Sequence, residues 1–217
     1  NRKFTLSLSQ PACSAGTLVA ILQLTKDIMQ TIEKYQIETF HDPTFKQNSV
    51  DNLHKYDYIY FEETEYSSST VFGIKVYINE KLLKSAVIGA DYGASAIGKN
   101  SIIFETDRIL ICCSDKIFCL SIPDLELLWQ TKADEITCFE IFKYKNSYIV
   151  HGELEISKLD NKGQIIWRKS GADIFVTPTI KNQLQLTENY ILASDWDNKV
   201  YKFGYDGQDY TDMEQFK

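Results

Sequence analysis

This sequence predicts a mainly β protein assembled from repeated groups of short strands, with an amino-terminal strand and helix added to them. Three observations carry the prediction. Tyr and Phe number 13 and 12 in a chain of 217 residues that is rich in Ile and Val and holds only 4 prolines, a composition suited to pleated, half-buried surfaces. A phrase of apolar strand, polar turn and second strand closing on tryptophan recurs as Arg108–Ile111, Lys116–Leu120 and Leu127–Trp129, then as Tyr148–Val150, Ile156–Asp160 and Ile165–Trp167, and in part as Tyr190–Leu192 and Val200–Phe203. The leading strands start at 108, 148 and 190, steps of 40 and 42, and Trp129 and Trp167 lie 38 apart. A period of about 40 residues filled with short strands is the spacing of propeller blades, units too small to bury their own faces without a neighbour. The fold class is therefore a small or incomplete β-propeller-like repeat array.

Taken in order, residues 3–9 alternate Phe4, Leu6 and Leu8 with Thr5, Ser7 and Ser9, which predicts a strand with one apolar face that ends at Pro11. From Thr17 the apolar residues Leu18, Ile21, Leu22, Ile28, Met29, Ile32 and Tyr35 fall at steps of three and four, the pattern of an amphipathic helix capped by Ser14 or Thr17. Such a helix suits the cover of an open sheet face or edge. Residues 40–55 carry Asp42-Pro43, Asn48-Ser49 and Asp51-Asn52, a loop-like mixture that places an amino-terminal extension over 1–50 and the repeats over 51–217. The blades then run over about 56–98, 100–138, 139–180 and 182–210. The first is degenerate: Tyr56–Phe61, Val71–Ile78 and Ala86–Ile88 read as strands, with a turn at Asn79-Glu80 and no tryptophan. Gly89, Gly93 and Gly98 follow at a spacing that fits no phosphate-binding loop, and strand-like Ile102–Phe104 stands where such a loop needs a helix. The segment reads as a link between blades.

Thirty acidic against 23 basic side chains give a net charge of −7, a field that disfavours nucleic acid and anionic membrane surfaces and suits a basic protein partner. Five cysteines, two adjacent at Cys112-Cys113, make no even disulfide framework and place the chain in a reducing, cytoplasmic setting. There is no Cys-x-x-Cys pair, and His41, His54 and His151 offer no zinc-ligand spacing, so neither metal nor cofactor is expected. No run of 18 apolar residues is present, and Leu18–Leu24 is too short and too interrupted for a signal peptide, which reads as a mature soluble chain.

The segment Ile117–Trp129 is similar to the blade phrase of PQQ-like, quinoprotein-type propeller repeats, in which an apolar strand, a turn and a strand ending in Leu-Trp make one hairpin. Ile156–Trp167 matches it with a turn one residue shorter, and Val200–Gln208 matches its first half, so the resemblance covers about residues 100–208. It implies a repeat scaffold whose hairpins close at Asn161-Lys162-Gly163 and Asp206-Gly207. No position here matches the family's quinone-contacting residues, so the resemblance implies no quinone site. Trp129 and Trp167 are expected to pack between neighbouring sheets.

Candidate functional residues form two groups. Glu62, Glu63 and Glu65, with Asp195, Trp196 and Asp197, compose an acidic interaction surface around one tryptophan. Asp195 to Asn198 also has the oxygen density of a calcium turn, but without the Gly and later Glu such a loop needs. His151 and Glu153 form the alternative, a ligand site in a propeller funnel with Trp196 and Asp197; Glu155 would join them as an acid/base trio, although the repeats place ordinary turn residues, Ser114-Asp115 and Asp195, at the same position. No Ser-His-Asp arrangement can be nominated. The favoured function is a non-catalytic protein-interaction module, in its sharper form an acidic inhibitor or immunity-type partner of a basic protein; the alternative is a small-ligand binder or enzyme.

Overall fold

The computed structural model describes residues 27–61, 68–177 and 183–212. The strand expected over 3–9, the first half of the expected helix and Glu62, Glu63 and Glu65 lie outside the described residues. Among the described residues the chain forms sixteen strands in four sheets and no helix.

The first sheet contains β1 (Ile28–Ile32), β2 (Tyr35–His41), β3 (Tyr58–Tyr60), β4 (Thr70–Ile78) and β5 (Lys81–Ala90), in the order β1-β2-β4-β5-β3, with β3 parallel to β5 and every other pair antiparallel. This corrects the helix expected through Tyr35. Ile28 and Ile32 are four apart, a spacing that shares a face in a helix and equally in a strand, where side chains repeat every second residue. The two-residue connection Glu33-Lys34, with Glu33 at φ 53°, lets β1 fold back so that Ile32 pairs with Tyr35 and Ile28 with Thr39. Ile28, Ile32 and Tyr35 then pack on the same apolar core that buries Ile37. The sheet thus draws strands from both sides of the boundary expected near residue 50.

The other sheets are antiparallel meanders: β6 (Ile102–Phe104), β7 (Arg108–Cys113), β8 (Lys116–Ser121) and β9 (Leu127–Lys132); β10 (Cys138–Tyr144), β11 (Ser147–Gly152), β12 (Glu155–Asp160) and β13 (Ile165–Ser170); and β14 (Leu184–Leu186), β15 (Tyr190–Ser194) and β16 (Val200–Gly204). Successive sheets stack face to face. Ile109, Ile111 and Cys113 of β7 meet Ile74 and Ile88 of the first sheet, whereas Leu110 and Cys112 from the opposite face meet Ile141 and Val150 of the third. Ile149 and Ile156 of the third sheet in turn meet Ile191 and Phe203 of the fourth. A strand buried on both faces has no polar side to show, which is why Ile109–Cys113 is an unbroken apolar run rather than an alternating one. None of the apolar clusters among the described residues joins the fourth sheet to the first.

A repeated aromatic contact locks each sheet to the next. Trp129 on β9 lies over Gly163 in the β12–β13 turn, and Trp167 on β13 lies over Gly207 beyond β16; both glycines have positive φ, 80° and 88°. The first sheet lacks a tryptophan, and Tyr60 on β3 takes its place: its hydroxyl accepts from Leu127 N at 3.1 Å and donates to Leu125 O at 3.0 Å, and Leu125 is the positive-φ residue of the β8–β9 turn. The tryptophans are therefore fillers between sheets, as their period implies.

The outer face of the first sheet is sealed by the chain between β2 and β3 and just after it. Phe45, Tyr56 and Phe61 pack on Val71 and Val87, and an added Cβ at Gly89 would stand 2.2 Å from the Phe61 ring, so only glycine admits that ring. Asp42 pins the seal: its Oδ2 accepts from Tyr56 Oη at 2.6 Å and lies 3.0 Å from His54 Nδ1, and its Oδ1 accepts from Thr44 Oγ1 at 3.2 Å. Burial pushes the Asp42 carboxyl up, but the bonds from Tyr56, His54 and Thr44 outweigh it and hold the group below its ordinary value. A depressed carboxyl contributes stability that is present above its unfolded pKa, about 3.9, and is lost as pH falls through the lower folded value. The stability difference between wild type and Asp42→Asn in urea should accordingly be constant from about pH 7 to 5 and vanish in stronger acid; a difference that stays flat into acid would show that the carboxylate charge plays no part in the seal.

Candidate functional site

The connections between sheets and the second hairpin turn of each later sheet meet at one end of the array. Gly93 N donates to Ile136 O (3.0 Å), Cys138 N to Ser114 O (2.6 Å), Glu153 N to Thr137 O (2.8 Å), Phe175 N to Glu153 O (2.7 Å) and Trp196 N to Ile174 O (2.8 Å). A run of backbone hydrogen bonds therefore crosses from the link after the first sheet to the last turn of the fourth, and it fixes the side chains that project from this end.

Asp134 is the centre of that framework. Fully buried, it accepts four backbone N–H groups: Oδ1 takes Ile136 (2.7 Å) and Thr137 (3.1 Å) of its own loop, and Oδ2 takes Leu154 (2.9 Å) and Glu155 (2.8 Å) of the next sheet's turn. The carboxylate occupies the space a side chain would need at Gly152, where an added Cβ would lie 2.2 Å from Oδ2. Asp195 does the same work within the fourth sheet: its Oδ1 accepts from Lys199 N (2.9 Å) and its Oδ2 from Tyr201 Oη (2.8 Å). Both oxygens point inward and are used, so the calcium-turn reading of residues 195–198 loses its first ligand. Among the described residues no group of three or more His, Cys, Asp or Glu side chains is placed to hold a metal ion.

Around Asp134 the charges are paired. Lys116 Nζ lies 3.0 Å from the buried Asp115, Lys132 Nζ lies 3.8 Å from Asp115 and 2.7 Å from Glu135, and Arg168 reaches Glu155 at 3.5 Å and Glu135 at 3.8 Å. Burial pushes Asp115 and Glu155 above their ordinary carboxyl values, against the pull of Lys116 and Arg168 respectively. This network ties the second sheet to the third and presents no unpaired acid and base facing one another across a space for substrate.

His151 and Glu153 are not brought together as a ligand site. His151 is 2 % exposed, with Nδ1 3.0 Å from Glu140 Oε2 on the neighbouring strand and Nε2 2.8 Å from Phe175 O, so both ring nitrogens are engaged, one within the third sheet and one with the link that follows it. Glu153 sits in the β11–β12 turn and Glu155 begins β12, where it faces Arg168. Of the expected acidic surface, Trp196 and Asp197 are exposed on the β15–β16 turn, while Asp195 is buried beneath them.

What projects from this end is a broken row of apolar side chains: Tyr92 (66 % exposed) after the first sheet, Ile136 (36 %) after the second and Trp196 (48 %) on the fourth, with Ile174 half-buried beside Trp196's backbone. Glu135, Asp173 and Asp197 are exposed beside them. Tyr92 and Ile136 are absent from the sequence-based candidates, and Asp134, which in sequence reads with Glu135 as a solvated acidic group, is buried. An Ala-Asp pair at 90–91, 133–134 and 172–173, steps of 43 and 39, marks the link after each of the first three sheets, although only Asp134 of the three is buried.

No family model and no curated protein matches this sequence. Among solved structures the chain is similar to BamB from Moraxella catarrhalis (11% identity over 64% of this chain and 44% of that one, TM-score 0.45). It is also similar to the HIRA(644–1017) structure (13%, 93% and 54%, TM-score 0.44) and to the computationally designed Ika8 protein (9%, 84% and 60%, TM-score 0.46). The chain spans less than half the length of the BamB structure and about half that of the HIRA structure.

Proposed function

We propose that this chain is a non-catalytic protein-interaction module, an incomplete β-propeller whose turn-bearing end is the binding surface. The observation that supports the reading most directly is Trp196, half exposed on a turn whose backbone is fixed by Asp195 from within and by the Trp196 N to Ile174 O bond from the side. A large aromatic held in place loses little freedom on binding, and tryptophan is among the side chains most often found at the energetic centre of interfaces. Tyr92 and Ile136 extend the apolar centre, and Glu135, Asp173 and Asp197 give it an acidic rim. That rim and the net charge of −7 favour a basic partner, and in the sharper form of the proposal the chain is an inhibitor or immunity-type partner in the cytoplasm.

Capture of partners from the native lysate by wild type and by Trp196→Ala tests this. The expected result is a stoichiometric basic protein held by wild type, released by salt, and bound about 30-fold more weakly by Trp196→Ala, the loss of one interface hot spot of about 2 kcal/mol. A partner held equally by both proteins would place the interface elsewhere.

A further inference from the structure

We propose that a proton on the buried His151 ring holds the turn that carries Trp196, so that the binding end is fixed at low pH and loosened as the pH rises. The regulation of binding rests on the function proposed above; the proton lock itself does not.

Both ring nitrogens of His151 face groups that can only accept. Nε2 lies 2.8 Å from the Phe175 carbonyl oxygen, and Nδ1 lies 3.0 Å from Glu140 Oε2, while Glu140 Oε1 accepts from Asn100 Nδ2 at 2.9 Å. Burial pushes the Glu140 carboxyl up, but the bonds from His151 and Asn100 outweigh it and hold the group below its ordinary value, so it is ionised and has no proton to give. Both bonds therefore form together only when each ring nitrogen carries a hydrogen, that is, in the imidazolium. A neutral imidazole has one N–H for two acceptors. It keeps the bond to the carboxylate, the stronger because that acceptor is charged, and turns a bare lone pair toward the Phe175 carbonyl.

Among the described residues Glu140 is the only ionisable side chain in hydrogen-bond contact with the ring. Phe139 meets it edge to face at 5.7 Å, and β12 places Ile156 opposite it. The acids of the surrounding elements are directed elsewhere: Asp134 stands on the other face of β11 at Gly152, Glu155 faces Arg168, Asp173 Oδ1 accepts from Ile174 N, and Asp195 is taken up by Lys199 N and Tyr201. Glu153 lies beyond Gly152 in the β11–β12 turn.

The Phe175 carbonyl matters because of what its link holds. Phe175 N donates to Glu153 O, and the preceding carbonyl, that of Ile174, accepts from Trp196 N at 2.8 Å. The Phe175 ring packs edge to face on Tyr201 at 5.5 Å, and Tyr201 bonds the Asp195 carboxylate beneath Trp196. A buried carbonyl that loses its donor is costly, and the link relieves the cost by shifting, which draws on the bond that holds Trp196 from the side. The sign follows. A ring that gains two acceptors on folding contributes fully below the ordinary imidazole value of about 6.5, and the contribution is lost as the pH rises.

Glu140→Gln separates the charge from the shape. Its amide oxygen can accept from Asn100 while its NH2 donates to Nδ1, so a neutral ring keeps Nε2–H on the Phe175 carbonyl at every pH. The test is NMR of the whole chain at pH 5.5 and 8.5, reading the ring 15N signals of His151 and the hydrogen exchange of the Trp196 amide, corrected for the intrinsic pH dependence of exchange. In wild type both ring nitrogens should be protonated at pH 5.5 and Nδ1 alone at pH 8.5, with protection of the Trp196 amide lowered about tenfold at the higher pH; in Glu140→Gln that protection should not change. The same ring protonation at both pH values, or constant Trp196 protection in wild type, would overturn the proposal even if the variant failed to fold, and so would an equal pH response in Glu140→Gln. The partner captured from lysate should be held about tenfold more weakly by wild type at pH 8.5 than at 5.5, and equal capture would overturn the regulation. A lysate that yields no partner counts against the interaction surface alone, and the ring and amide signals still decide the lock.

Discussion

Replacing Asp134 with Ala is expected to destabilise the protein by about 3 to 5 kcal/mol, a large fraction of what a domain of this size has to lose. The carboxylate holds four backbone N–H groups, and hydrogen bonds to a charged acceptor are worth about 1.5 to 3 kcal/mol each, with a further cost for every buried donor left unpaired. Asn is no rescue. Oδ1 and Oδ2 each take two donors, so an amide in the same place sets an NH2 group against either the 136–137 pair or the 154–155 pair. Asp134→Asn should therefore lie close to Asp134→Ala in urea unfolding, and the amides of Leu154 and Glu155 should lose hydrogen-exchange protection in both. An Asn variant as stable as wild type would mean that a single oxygen suffices and that the contact between sheets is held by the paired charges around it.

Those four bonds explain why the candidate site was only partly legible. Trp196 and Asp197 stand out in sequence because an apolar giant between acids on a turn has no place in a core, and the structure exposes both. Asp134 looks like one more solvated acid beside Glu135, and nothing in a local pattern says that its side chain reaches the next repeat's turn 20 residues on. The Ala-Asp pairs at 90–91, 133–134 and 172–173 mark the links when the chain is aligned on them instead of on its strands, but not this role, since Asp173 is exposed and only Asp134 of the three is buried. His151 errs in the other direction. Beside Glu153 it resembles an acid/base pair, yet β11 is buried on both faces, and His151 commits its ring nitrogens to Glu140 of the neighbouring strand and to the Phe175 carbonyl.

The strands themselves were legible where one repeat could be compared with another. Tyr148–Val150 and Tyr190–Leu192 echo Arg108–Ile111, and the sheets built on them follow. Before residue 50 there is no second copy to compare, and steps of three and four misread a hairpin as a helix because a step of four satisfies both periods. The substitution of Tyr60 for the missing tryptophan was hidden for a related reason: β3 precedes β4 and β5 in the chain yet occupies the sheet edge that β9 and β13 reach last in their own sheets.

That edge position carries the second large effect. Gly163→Ala should destabilise by about 2 to 4 kcal/mol: a Cβ at φ 80° costs about 1 to 2 kcal/mol, and it would stand 2.4 Å from Trp129 Cε3, which must shift out of its seat. The two costs separate in a double-mutant cycle with Trp129→Leu. The backbone cost persists when the indole is removed, and the collision does not, so the double variant should be more stable than the sum of the single losses by about 1 to 2 kcal/mol. Gly207→Ala should show a weaker version, since the Trp167 ring stands 2.8 Å from its Cβ. Strict additivity at 129 and 163 would mean that the indole moves aside freely. The aromatic contact would then follow from stacked sheets instead of setting their spacing, and the period of the tryptophans would mark the repeat without holding it.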